Sequence, residues 1–142
     1  MREILFRGKR IDNGEWVEGF YGRYQNDDSS YTHIIKEDTT LHIANVTITS
    51  FQVIPETIGQ FTGLCDKNGN RIFEGDVFLS FIYNNHHIVE WSDMFGGWIA
   101  KHTDNVGKGH LQGDCQLWVY VRDNEFEVIG NIHDNPELLT NN

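Results

Sequence analysis

The chain has 142 residues, enough to bury a hydrophobic core without disulfide or metal staples. With 39% hydrophobic and 13% aromatic residues it is too apolar for a disordered polymer, and it lacks the unbroken apolar run of about eighteen residues that a membrane helix needs. Lys and Arg number 11 against 21 Asp and Glu, a net charge of −10, and a body so acidic repels phosphate backbones.

Apolar residues recur with period two far more often than with the helical period, which predicts a chain of short strands. Ile4-Leu5-Phe6 reads as the first. Asn13-Gly14 supplies a turn, and Glu15 to Tyr24 follows with Trp16, Phe20 and Tyr24 in phase on one face. Gln25 to Ser30 reads as a loop. Tyr31 to Lys36 and Leu41 to Thr49, rich in β-branched residues, read as two more strands, and Phe51 to Ile54 as a short one closed by Pro55.

In the second half, Asp66-Lys67-Asn68-Gly69 carries a hairpin turn. Strands are expected at Val77 to Tyr83, His87 to Trp91, Trp98 to His102, Leu117 to Arg122 and Phe126 to Ile129. Gly96-Gly97 forms a turn and Val106 to Asp114 a Gly-rich connector. Asp134-Asn135-Pro136-Glu137 holds the one helix-start signal, with Pro at the first helical position and an acid in the first turn. The expected fold is therefore mainly β, with many short antiparallel strands and one short C-terminal helical turn.

Constellations that carry chemistry are weak. Asp66, Asn68 and Asn70 alternate oxygen side chains, but a calcium loop would need Gly and Glu where Arg71 and Val77 stand. The seven histidines (33, 42, 86, 87, 102, 110 and 133) form no pair at helical metal-ligand spacing, and no Cys-x-x-Cys is present. His86 and His87 are adjacent on a strand and point to opposite faces. Cys65 and Cys115 read as two free thiols. Met1 to Arg10 is locally basic, +3, with no apolar stretch behind it, so no secretory signal is expected and a cytoplasmic location is. Gly107-Lys108-Gly109 follows no strand–helix unit and reads as linker.

Three segments stand together in order. The first is Phe6-Arg7-Gly8-Lys9-Arg10 with Gly14-Glu15-Trp16-Val17-Glu18-Gly19. The second is Ile58-Gly59-Gln60-Phe61-Thr62-Gly63-Leu64 with Asp66-Lys67-Asn68-Gly69 and Ile72-Phe73-Glu74-Gly75-Asp76. The third is Val128-Ile129-Gly130-Asn131-Ile132-His133 with Asn135-Pro136-Glu137-Leu138. In these the chain resembles the YopX protein family, small proteins encoded by phages and prophages of mostly Gram-positive bacteria. The resemblance implies an all-β fold with an SH3-like barrel element and cytoplasmic expression from phage-derived genes, and it implies no activity. Physically, Glu74-Gly75-Asp76 before an apolar strand reads as a tight corner, with Asp76 bonding backbone N–H groups there.

The chain is thus expected to be a single domain over 1–142, with two β lobes at about 1–63 and 64–142. Its expected role is a non-enzymatic module that binds a protein of host or phage, without catalytic residues, metal or cofactor. The alternatives are nucleic-acid binding through the basic N-terminus, which the charge disfavours, and a metal-dependent hydrolase. Of the four tryptophans, Trp16, Trp91, Trp98 and Trp118, most are expected in the core, with Trp98 the best exception. Trp98, after Gly96-Gly97, is expected at a rim. Trp98, Arg7, Lys9 and Arg10 are therefore the candidate binding residues. The uncharged stretch 41–54, with Val46 and Ile48 alternating with Thr47 and Thr49, predicts a homo-oligomer joined there.

Overall fold

A computed structural model describes residues 2–37, 49–80, 85–105, 114–122 and 126–140, and it divides into two units, Met1–Phe61 and Thr62–Asn142. The chain is mainly β and its strand pairings are antiparallel. Among the described residues no helix is long and apolar enough to cross a membrane.

In the first unit the strands are β1 (Phe6–Lys9), β2 (Trp16–Gln25), β3 (Tyr31–Glu37), β4 (Ser50–Gln52) and β5 (Gly59–Cys65), which begins here and ends in the second unit. Their order is β4-β3-β2-β1-β5. The Asn13-Gly14 turn joins β1 to β2. Gly14 has φ +72, a conformation that suits glycine, and Asn13 Oδ1 accepts the Glu15 N–H at 2.9 Å. Val17, Ile35 and Val53 form the core, with Phe6, Phe51 and Ile58 packed against it. Gly8 sits where a Cβ would come within 3.1 Å of Val53 Cβ, so strand and core meet closely. Thr57 Oγ1 accepts the Lys9 N–H at 2.9 Å and donates to the Ile54 carbonyl at 2.6 Å, tying the 3-10 turn Pro55–Thr57 to β1.

The second unit holds the end of β5, β6 (Arg71–Phe73), β7 (Asp76–Ser80), β8 (Asn85–Ser92), β9 (Gly97–His102), β10 (Cys115–Gln116), α1 (Leu117–Val121) and β11 (Val128–Asn131). β6 lies beside β5, and the other strands follow the order β10-β9-β8-β7-β11. Ile72, Phe78, Val89, Ala100, Leu117 and Phe126 form its core, flanked by Leu64, Trp98, Tyr120, Val121 and Val128. Phe78 and Phe126 meet with ring centroids 4.0 Å apart, and truncating either to Ala would cost about 3–5 kcal/mol.

Several expectations change. Leu117 to Arg122 is not a strand: Leu117, Tyr120 and Val121 fall at helical spacing, and all three turn onto the core from α1. Trp118 therefore leaves the sheet and stands exposed. The first strand runs Phe6–Lys9 rather than Ile4 to Phe6, because the Asn13-Gly14 turn pairs Lys9 with Trp16 and fixes the register there. The strand expected at Phe126 to Ile129 lies at Val128–Asn131. The strand order closes no barrel among the described residues, so the SH3-like element implied by the resemblance is not seen as a closed one. The C-terminal turn is the 3-10 segment Pro136–Leu139 with Pro at its start. Residues 41–48, including Val46 and Ile48, lie outside the described residues, as does the connector at 106–113.

Candidate functional site

Strand alternation sorts the basic N-terminus into two groups. Lys9 lies opposite Trp16 and Arg7 opposite Glu18, so both cations share one sheet face with Trp16. The Arg7 guanidinium lies 4.6 Å, and the Lys9 ammonium 5.5 Å, from the Trp16 ring centroid. Arg10 does not join them. It grips Asp12 through Nε at 2.9 Å and a terminal nitrogen at 2.6 Å, and its guanidinium covers the Phe51 ring at 3.9 Å. This pairing holds the Asp12 carboxyl below the usual aspartate range. Of the three cations expected to bind together, the structure brings two together.

The face that carries Arg7 and Lys9 also carries the in-phase aromatics of β2. Val17 and Gly19 point inward and Phe20 and Tyr24 outward, both exposed, with Lys36 paired opposite Phe20. The sequence identified this phase without showing which side meets the core. Gly19 decides it: an added Cβ would strike the Lys36 carbonyl, so only a glycine lets β2 and β3 approach on that side.

A second surface is the β8–β9 hairpin. Trp91 and Trp98 are cross-strand partners, and Gly96, at φ +61, turns the tip. Phe95 N–H donates to Ser92 Oγ at 3.3 Å, which holds the tip closed. Here the exposed exception is Trp91 and not Trp98. Trp98 is half-buried against the core, whereas Trp91 is 45% exposed, Met94 73% and Phe95 44%. The two rings meet edge to face, centroids 5.2 Å apart and planes at 80°, and Trp91 Nε1 donates to Asp93 Oδ1 at 2.9 Å. From Asn85 to Ala100 the only Asp, Glu, Lys or Arg residues are Glu90 and Asp93. Sequence reasoning missed Met94 and Phe95; the signal that could have found them is an apolar pair directly before the Gly96-Gly97 turn.

The remaining polar groups serve the fold. Asp66 Oδ1 accepts the N–H groups of Asn68 and Asn70, both at 2.9 Å, and Oδ2 accepts that of Val128 at 3.2 Å, so the alternating-oxygen string is a hairpin turn. His87 is buried against Phe78, Tyr120 and His102, while His86 lies on the other side of the strand. His33 hydrogen-bonds the Tyr21 hydroxyl at 2.6 Å, and His42 lies outside the described residues. Among the described residues no group of three or more His, Cys, Asp and Glu is placed to hold a metal. Both cysteines are free, and burial pushes the Cys115 thiol up, the reverse of an activated nucleophile.

A protein-family model described as YopX protein matches residues 5–140. Among solved structures, the crystal structure of protein EF1440 from Enterococcus faecalis is similar, with 28% sequence identity and a TM-score of 0.57. The match covers 99% of this chain and 100% of that one. No curated protein matches the chain.

Proposed function

Since this chain belongs to the YopX protein family, a kinship that brings a fold and no reaction, we propose that it works as a non-enzymatic protein-binding module whose contact surface is the β8–β9 hairpin. One observation carries the reading: Trp91 at the end of β8 and Met94 and Phe95 on the turn that follows stand exposed on one hairpin, together with the carboxylate of Asp93. Contiguous exposed apolar surface on a small domain marks a contact surface more often than a catalytic one. The partner is a protein of host or phage, met in the bacterial cytoplasm, an environment that suits two unpaired thiols. Self-association through the uncharged stretch 41–54 belongs to the same reading. Light scattering that gives only a 16.5 kDa species at tens of micromolar overturns that part.

The test uses the full chain as bait beside a Met94→Glu/Phe95→Glu variant. The expected result is a protein retained stoichiometrically by the first and lost from the second. Retention of the same protein by both would overturn the assignment of the hairpin.

A second reading, nucleic-acid binding, draws on the other surface, where exposed Phe20 lies opposite Lys36 and shares a sheet face with exposed Tyr24 and with Arg7 and Lys9 over Trp16. Stacking on aromatics next to cations is how single strands are held. Residues 1–61 carry six Lys and Arg against nine Asp and Glu, so this half is less acidic than the rest. Anisotropy with a labelled oligothymidine in rising salt decides it. Tight, salt-sensitive binding lost in Phe20→Ala would favour this reading over the first.

A further inference from the structure

Two of the four tryptophans already hold cations. Arg7 and Lys9 lie over Trp16, and the Arg122 guanidinium lies 5.2 Å from the Trp118 ring centroid. The negative face of an indole attracts a cation, most strongly when water is partly excluded. Trp91 and Trp98 differ: among the described residues no cation lies over either ring. The nearest Lys or Arg in sequence, Lys101, is buried and sits 3.8 Å from Glu90 and 3.9 Å from Asp114. Yet this pair has what a cation would want. Its rings stand at 80° to each other, so two faces meet in a corner, and the Trp91 indole N–H fixes the Asp93 carboxylate beside them.

We propose that the Trp91–Trp98 corner with Asp93 is a seat for one arginine side chain presented by a protein partner. The inference rests on the protein-binding reading of the same hairpin and names the chemistry of its partner. Arginine fits better than lysine, because a planar guanidinium stacks on a ring while its N–H groups reach a carboxylate in the same plane. Met94 and Phe95, exposed on the same turn, surround the arginine with apolar contact. Phosphate-bearing partners are opposed by the Asp93 carboxylate held beside the rings.

The test titrates the full chain, with 15N-labelled tryptophan, with a short Arg-Gly repeat peptide and with its citrulline counterpart, which keeps the shape and loses the charge. The expected result is a saturable shift of the Trp91 and Trp98 indole signals, with the citrulline peptide bound about fivefold more weakly. Asp93→Asn and Trp91→Leu should each weaken the Arg peptide by a similar factor, and unmoved Trp16 and Trp118 signals report that both variants are folded. Equal binding of the two peptides, shifts centred on Trp16 or Trp118, indifference to Asp93→Asn, or tighter binding of oligothymidine at the corner would each overturn the proposal. The two readings fail separately. A partner protein lost by Met94→Glu/Phe95→Glu but retained by Asp93→Asn sinks the arginine seat alone. A corner that takes the Arg peptide while the hairpin retains no protein sinks the module reading, on which the assignment of a partner arginine depends.

Discussion

The Asp76 carboxylate accepts the backbone N–H of Phe73 at 2.8 Å, closing the corner at which Gly75 adopts φ +90. Both residues are buried, Asp76 to 1% exposure, so the bond is made away from water. Asp76→Ala removes the acceptor and strands a buried amide, which costs about 2–3 kcal/mol. Asp76→Asn keeps an oxygen in place and should cost less. Urea denaturation of the three proteins measures the order directly.

Asp66 plays the matching part at the other turn, and it also reaches β11 by accepting the Val128 N–H at 3.2 Å. Asp66→Ala is expected to lower stability by about 2 kcal/mol. It should also speed hydrogen exchange at the Asn68, Asn70 and Val128 amides together. Faster exchange at Asn68 and Asn70 with Val128 unchanged would separate the turn from the strand.

Glycines on β2 offer a controlled pair. At Gly19 an added Cβ meets the Lys36 backbone carbonyl, while at Gly22 nothing lies within 4 Å. Gly19→Ala must push β2 and β3 apart and should cost about 3 kcal/mol or more, whereas Gly22→Ala should change stability by less than about 1 kcal/mol. Thermal melts followed by circular dichroism distinguish them.

The two thiols should react at different rates. Cys65 is exposed, while Cys115 is half-buried and its thiol is pushed up by burial, so less of it is thiolate at neutral pH. Ellman's reagent at pH 7.5 should give two phases, the fast one absent in Cys65→Ser. A single fast phase for both would contradict the burial of Cys115.

What the sequence made legible was local. Asn13-Gly14 and Asn68-Gly69 announce turns through backbone chemistry confined to a few residues, and both glycines do take positive φ. The corner at Glu74-Gly75-Asp76 was readable for the same reason. Facing was not readable. Trp16, Phe20 and Tyr24 are in phase, but which side of β2 meets the core depends on Gly8 against Val53 and Gly19 against Lys36, contacts between distant parts of the chain. Leu117 to Arg122 misleads because β-branched and aromatic residues suit a strand, while burial of Leu117, Tyr120 and Val121 on one side wins for the helix. The separation of Arg10 from Arg7 and Lys9 follows from strand alternation. Its grip on Asp12 is local, whereas the cover it gives Phe51 is a tertiary contact.

Met94 is one of two methionines, the other being Met1, and it is 73% exposed at the hairpin tip. A thioether so placed takes up oxygen readily, and the sulfoxide is polar where the side chain had been apolar. The tip therefore records the oxidative history of a preparation. Aged protein would carry an oxidised Met94 detectable by mass in a single tryptic peptide, and methionine sulfoxide reductase would reverse it. An apparent loss of partner binding on storage would then be chemistry at one sulfur atom, with the fold intact.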